Sequence, residues 1–213
     1  MQTENPLQNA YIGEYVERLP SAYQEVEYIQ NSGTQHIETP FMLQDDYIYK
    51  CKLQYSALWW GNFGGYYGST WNPRFYVGLR GDQSQWWWGM GNDYGSLWGL
   101  STWVDYELEI ELVNGSQYFK LNGNSLRTYS FSYSSSDRFP IRVFAETYNG
   151  GAWAWSANAK MYYFQLYNTS NQLVLNLVPC YRKSNNVIWM YDLVNNQFYT
   201  NAWTWTFTKW SDV

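Results

Sequence analysis

Three glutamates in the segment YELEIELV, Glu107, Glu109 and Glu111, are the residues whose type and spacing come nearest to a catalytic pattern. Alternate residues of a strand share a face, so the three carboxylates project together. Retaining glycosidases use two carboxyl groups about 5 to 5.5 Å apart, one as nucleophile and one as acid/base. Glu107 and Glu111 are the pair that such an enzyme would use. Against this, Tyr106, Leu108, Ile110 and Leu112 supply an apolar face of the same strand. The Glu row then reads as the wet side of a half-buried strand, and no nucleophile elbow supports catalysis. His36 is the single histidine, which excludes multi-histidine zinc sites and leaves any Ser-His-Asp triad to this one residue. It falls in TQHIETP, which reads as a strand, and its expected role is structural. Asp45, Asp46, Asn92 and Asp93 offer oxygen ligands for calcium, but no spaced ligand motif joins them. No cofactor is expected.

The richer signal is for binding. Tyr66, Tyr67, Trp86, Trp88 and Tyr148 come with Asn62, Asn92 and Asn149 close by in sequence. Aromatic rings present an apolar body with a polar tip, and sugars have apolar C–H faces rimmed by hydroxyls. Rings for stacking and amides for hydrogen bonding therefore make these eight residues the candidate ligand site. In SQWWWGMG, alternation sets Trp86 and Trp88 on one face and Trp87 on the other, so one of those faces also has a claim on the core. The stretches 59–73 and 146–158, rich in Gly, Tyr, Trp, Asn and Ser, read as recognition loops on a rigid scaffold.

The chain that must position these residues has 213 of them, 46% hydrophobic, 15% charged and 22% aromatic. Such a composition belongs to a folded protein, and its Tyr and Trp content favours strands. The net charge of −5, with 13 Lys and Arg scattered along the chain, is a poor match for nucleic acid, whose phosphates need a basic patch. No stretch has the roughly 18 to 20 apolar residues that span a bilayer, so no membrane insertion is expected. The start, MQTENPLQNAYIGEYV, lacks the basic and apolar regions of a signal peptide. Cys51 and Cys180 fall in apparent strands and read as small buried side chains.

Residues 1–18 read as a leader or connector ending before Leu19-Pro20, and 19–213 as one domain. Within it, EVEYI (25–29), DYIYKCKLQY (46–55), RFYVGLR (74–80), SQWWWGMG (84–91) and YELEIELV (106–113) read as strands. The last continues through an Asn-Gly turn into QYFKLNG. FPIRVFAE (139–146), AKMYYFQLYN (159–168), QLVLNLVPCY (172–181), VIWMYD (187–192) and QFYT (197–200) complete the set. Turn signals recur every 8 to 15 residues without a sustained helical stripe, predicting an all-β fold of two packed antiparallel sheets, a sandwich or jelly roll.

Two segments carry a resemblance. LPSAYQEVEYIQNSGTQHIETP (19–40) is similar to the opening of the LamG-like, concanavalin A-like jelly-roll domains of phage structural and bacterial surface proteins. AKMYYFQLYNTSNQLVLNLVPCYRKSNNVIWMYDLVNNQFYTNAWTWTFT (159–208) is similar to their close, through the Val-Pro-Cys step, Arg182, the Met-Tyr-Asp step and the Phe-Tyr-x-Asn-Ala finish. The resemblance implies a two-sheet jelly roll and a noncatalytic role: a lectin-like module binding a glycan or surface polysaccharide, or contacting other virion or surface proteins, on a virion or extracellular surface. It also implies the alternative of a decoration domain that binds no sugar. It transfers no site residues. Where such domains usually have Gly, this chain has Trp189, Trp203, Trp205 and Trp210, and the loop GGAWAWSANAK reads more naturally with Gly at Trp153 and Trp155. Gly and Trp differ so far in backbone freedom and bulk that independent drift is a poor account. The expectation is that UGA codons, read as Gly in some bacterial lineages and their phages, stand here as Trp.

Overall fold

The computed structural model describes residues 18–42, 47–58, 61–67, 74–80, 85–90, 93–113, 116–130, 140–148, 151–153, 158–202 and 206–213. Within these, 61–67, 74–77, 79–80, 87–90, 93–98, 112–113, 127–130, 146–148 and 151–153 are described in backbone only. The strands, in chain order, begin with β1 (Tyr23–Glu25), β2 (Ile29–Gln30), β3 (Ile37–Met42), β4 (Tyr47–Tyr55), β5 (Gly61–Tyr67) and β6 (Arg74–Arg80). They continue with β7 (Gln85–Met90), β8 (Asp93–Trp98), β9 (Asp105–Val113), β10 (Ser116–Leu121), β11 (Asn124–Ser130) and β12 (Pro140–Val143). The remainder are β13 (Glu146–Tyr148), β14 (Gly151–Trp153), β15 (Ala159–Asn168), β16 (Leu173–Arg182), β17 (Ile188–Asp192), β18 (Gln197–Tyr199) and β19 (Thr208–Lys209). The described chain is all-β, with no helix among the described residues.

The largest sheet has eleven strands, with the path β11-β10-β9-β4-β15-β16-β17-β18 and with β1, β2 and β19 joined at its side. A second sheet of six runs β14-β13-β5-β6-β7-β8, and β12 pairs with β3 in a short ladder of two. Pairing is antiparallel except between β13 and β5.

Alternation explains the large sheet. Along β4, Tyr49, Cys51, Leu53 and Tyr55 are buried while Lys50, Lys52 and Gln54 are not, and on β9 Tyr106, Leu108 and Ile110 are buried between the glutamates. β15 and β16 add Met161, Phe164, Leu166, Leu175 and Leu177 to the same core. Trp86 of β7 joins it, packed edge-on against Tyr55 (centroids 5.3 Å) and Tyr106 (5.7 Å). A smaller cluster of Leu19, Val178, Cys180 and Tyr191 is flanked by Tyr23, Trp189 and Phe198.

Several elements differ from the sequence reading. EVEYI is divided: β1 ends at Glu25, Val26 makes an isolated bridge to Asp212, and β2 begins at Ile29. The stretch 59–73, expected as loop, contains β5, and 146–158 contains β13 and β14. Glycine-rich composition hid these strands, because Gly carries no β propensity of its own and pairing supplies the order instead. β8 and β11 were also not anticipated. β11 follows a two-residue turn at Asn122 (φ 50°) and Gly123 (φ 77°), the left-handed pair that suits a tight hairpin.

Candidate functional site

Of the eight candidate ligand residues, Asn62, Tyr66 and Tyr67 lie on β5, Trp88 on β7 and Tyr148 on β13, all in the six-stranded sheet. Register sets Tyr148 beside Tyr67, Thr147 beside Tyr66, and Val77 beside Trp88. The backbone thus gathers these residues into one sheet. Asn92 and Asn149 lie outside the described residues, as do Asp45 and Asp46. Trp86 requires a correction: its relative exposure is 0%, and a ring enclosed by Tyr55 and Tyr106 has no face to offer a sugar. Alternation leaves two faces on β7, and the core took this one.

The glutamate ladder is occupied by cations. Lys120 Nζ donates to Glu109 Oε1 (2.6 Å) and Glu111 Oε1 (2.5 Å), and Lys50 Nζ lies 3.0 Å from Glu109 Oε2. Partial burial pushes Glu109 up, but the hydrogen bonds and charges of Lys120 and Lys50 outweigh it and hold the carboxyl at about 2. A group held ionised so far below neutrality is unsuited to deliver a proton. His36 is buried, its backbone N–H donates to Asn201 Oδ1 (3.1 Å), and its Nδ1 lies 3.2 Å from Thr34 O. Burial lowers its pKa. Among the described residues no group of three or more His, Cys, Asp or Glu is placed to hold a metal ion.

A groove the sequence reading did not anticipate opens where β2 lies between β15 and β19. Gln30 is in register with Lys160 on one side and Thr208 on the other. The groove encloses about 530 Å³, and its walls include Glu27, Tyr28, Trp103, Tyr162 and Trp210. Trp103 and Trp210 are 61% and 59% exposed. The Trp210 ring lies nearly parallel to Tyr28 (9°, centroids 6.2 Å), and Tyr162 meets Tyr28 edge-on at 5.4 Å. Lys160 Nζ sits 4.3 Å from the Tyr28 ring centroid and 5.2 Å from that of Trp103. Tyr162 Oη donates to Asp105 Oδ1 (3.1 Å), which also accepts from Gln54, while Lys52 Nζ lies 2.9 Å from Oδ2. Slight burial raises the Asp105 pKa, but these partners outweigh it and hold the carboxyl low.

The groove combines ring faces with two lysines, Lys160 and Lys209, a carboxylate and hydroxyls, the mix that takes up a small polar ligand with apolar faces. Its parts come from positions 27–30, 103, 160–162 and 208–210, so no single stretch of sequence announces it. One signal was present: Trp210 stands among Thr and Lys rather than in an apolar run.

The tryptophans at expected glycine positions fare differently. Trp103, not among those anticipated, has φ 64°, a left-handed backbone that is a genuine outlier for a bulky residue. Trp189 packs against Tyr23 and Phe198, with the Arg182 guanidinium 4.7 Å from its ring. Trp153 is on a strand described in backbone only, and Trp155, Trp203 and Trp205 lie outside the described residues.

No known protein family's sequence profile matches the chain, and no curated protein matches it. No helix among the described residues is long and apolar enough to cross a membrane.

Proposed function

We propose that this protein is a noncatalytic carbohydrate-binding or adhesion module built on a two-sheet jelly roll, working on a phage virion or a bacterial surface. The groove between β15 and β19 carries the reading: the Tyr162 ring, edge-on to Tyr28, stands beside the hydrogen-bonding groups of Gln30, Lys160 and Thr208, and the rings at 103 and 210 add to it only where Trp is retained. Rings beside polar groups suit the alternating C–H faces and hydroxyls of a pyranose. The antiparallel sheets and the Trp86 contact with the large sheet favour the sandwich arrangement. A glycan array probed with the full chain tests the function, with Tyr162→Ala reporting on the groove and Tyr66→Ala on the six-stranded sheet. Saturable binding lost in one variant assigns the site.

The second reading is a virion decoration domain that binds no sugar, and burial of Trp86 favours it by removing one expected platform. Absence of saturable binding to any glycan decides for it.

The proposal extends to the coding. Trp103 occupies a left-handed backbone position, which supports glycine there in the natural protein, alongside Trp189, Trp203, Trp205 and Trp210. Peptide masses from the natural source test this position by position. The groove keeps Tyr28, Gln30, Lys160 and Tyr162 whichever residue stands at 103 and 210.

A further inference from the structure

Four of the described lysines are paired with carboxylates. Lys50 meets Glu109, Lys52 meets Asp105, Lys120 meets Glu109 and Glu111, and Lys209 lies 3.5 Å from Asp212. Lys160 has no carboxylate partner among the described residues. Its ammonium is set against the Tyr28 and Trp103 rings, inside the groove. The negative faces of those rings attract the cation, but they leave its N–H donors without the strong acceptor that an ammonium prefers. The opening of the groove is where that acceptor can enter.

We propose that the groove takes a carboxylate-bearing sugar of an acidic glycan, with Lys160 as its counter-ion. The inference rests on the carbohydrate reading above and names its ligand class. Lys160 pairs with the carboxylate through a charge-assisted hydrogen bond, while Tyr162 and the groove's other rings take the apolar face of the pyranose. Gln30 and Thr208 are in register across β2 and β19; Gln30 Nε2 donates to Ser56 Oγ and Thr208 Oγ1 to Gln30 O, so the Gln30 amide oxygen and the Thr208 hydroxyl oxygen are the acceptors they offer to the sugar hydroxyls. Glu27, in the same wall, repels a carboxylate from its own end and accepts hydroxyls, which fixes the orientation of the ring. The chain's net charge of −5 opposes a polyanion at long range, so selection is local, and added salt weakens the pairing itself.

The test is an array of neutral, uronate-bearing and sialate-bearing glycans, followed by titration calorimetry of each acidic hit and its carboxyl-reduced counterpart. Acidic hits are expected, with the reduced forms at least tenfold weaker. Lys160→Gln should bind acid and reduced forms alike, while Lys160→Arg should keep the preference; circular dichroism and thermal melting of both variants establish that they fold. The Trp103→Gly/Trp210→Gly double variant should bind several-fold more weakly yet still prefer the acid. Loss of preference in that double variant, or acidic binding unchanged in Lys160→Gln, overturns the assignment to Lys160. Hits confined to neutral glycans sink the acidic inference and leave the carbohydrate reading standing. No hit of either kind ends both.

Discussion

The six-stranded sheet and the groove beside β15 both gather aromatic rings, and they use them in opposite ways. In the sheet, the ring whose side chain is described, Trp86, is enclosed by Tyr55 and Tyr106 and ties β7 to the large sheet. In the groove, Trp103 and Trp210 stand more than half exposed around a lysine. A tryptophan on a strand is pulled inward when its face meets another sheet, because burial removes a large apolar area from water. One in a connection after the strand has no such partner. Ring content therefore marks neither core nor site; the opposing surface decides which it becomes.

The comparison breaks first at Trp86. Trp86→Ala should cost about 3–5 kcal/mol, the range for emptying a buried aromatic site, read as a lowered urea midpoint. A loss below about 1 kcal/mol would mean that the ring does not join the sheets. Trp103→Gly should act in the other direction. A left-handed backbone costs an L-residue about 1–2 kcal/mol, so glycine should raise stability by about 1 kcal/mol after the loss of the Lys160 contact; a fall on thermal melting would show that the ring is native to its place.

Acid sharpens the contrast between the paired ladder and Lys160 in the groove. The Glu109 pKa falls from 4.5 in the unfolded chain to about 2 in the fold, so the folded state holds this carboxylate more tightly ionised. Its contribution is complete above about pH 4.5 and is lost as the pH falls toward 2. Glu109→Gln should flatten the decline in urea midpoint over that window, whereas Lys160→Gln should leave it unchanged. The smallest effect belongs to the thiols. Burial, together with the negative charge of Glu25, pushes Cys180 up to about 12, and burial pushes Cys51 higher still. Neither should react with an aromatic disulfide reagent at pH 8 until the chain is unfolded; rapid labelling of the native protein would contradict their burial.

Much of the large sheet was legible. DYIYKCKLQY and YELEIELV alternate so regularly that the buried and wet faces of β4 and β9 can be read from them, and AKMYYFQLYN and QLVLNLVPCY fall on β15 and β16. The ladder Lys50–Glu109–Lys120 was half visible, as a wet row of glutamates whose lysines lay on strands of unknown register. The strands β5, β13 and β14 were not legible, because glycine-rich segments have no alternating pattern to betray a pairing. The groove was not legible either.

What the sequence by itself determined is the secondary structure class and the inward face of each alternating strand, since a period of two is a local property of the chain. The tertiary structure alone decided which aromatic face met another sheet. It alone set Lys160, Gln30 and Thr208 in one row and left Lys160 without a carboxylate among the described residues, because those depend on strand order and register between segments far apart in the chain.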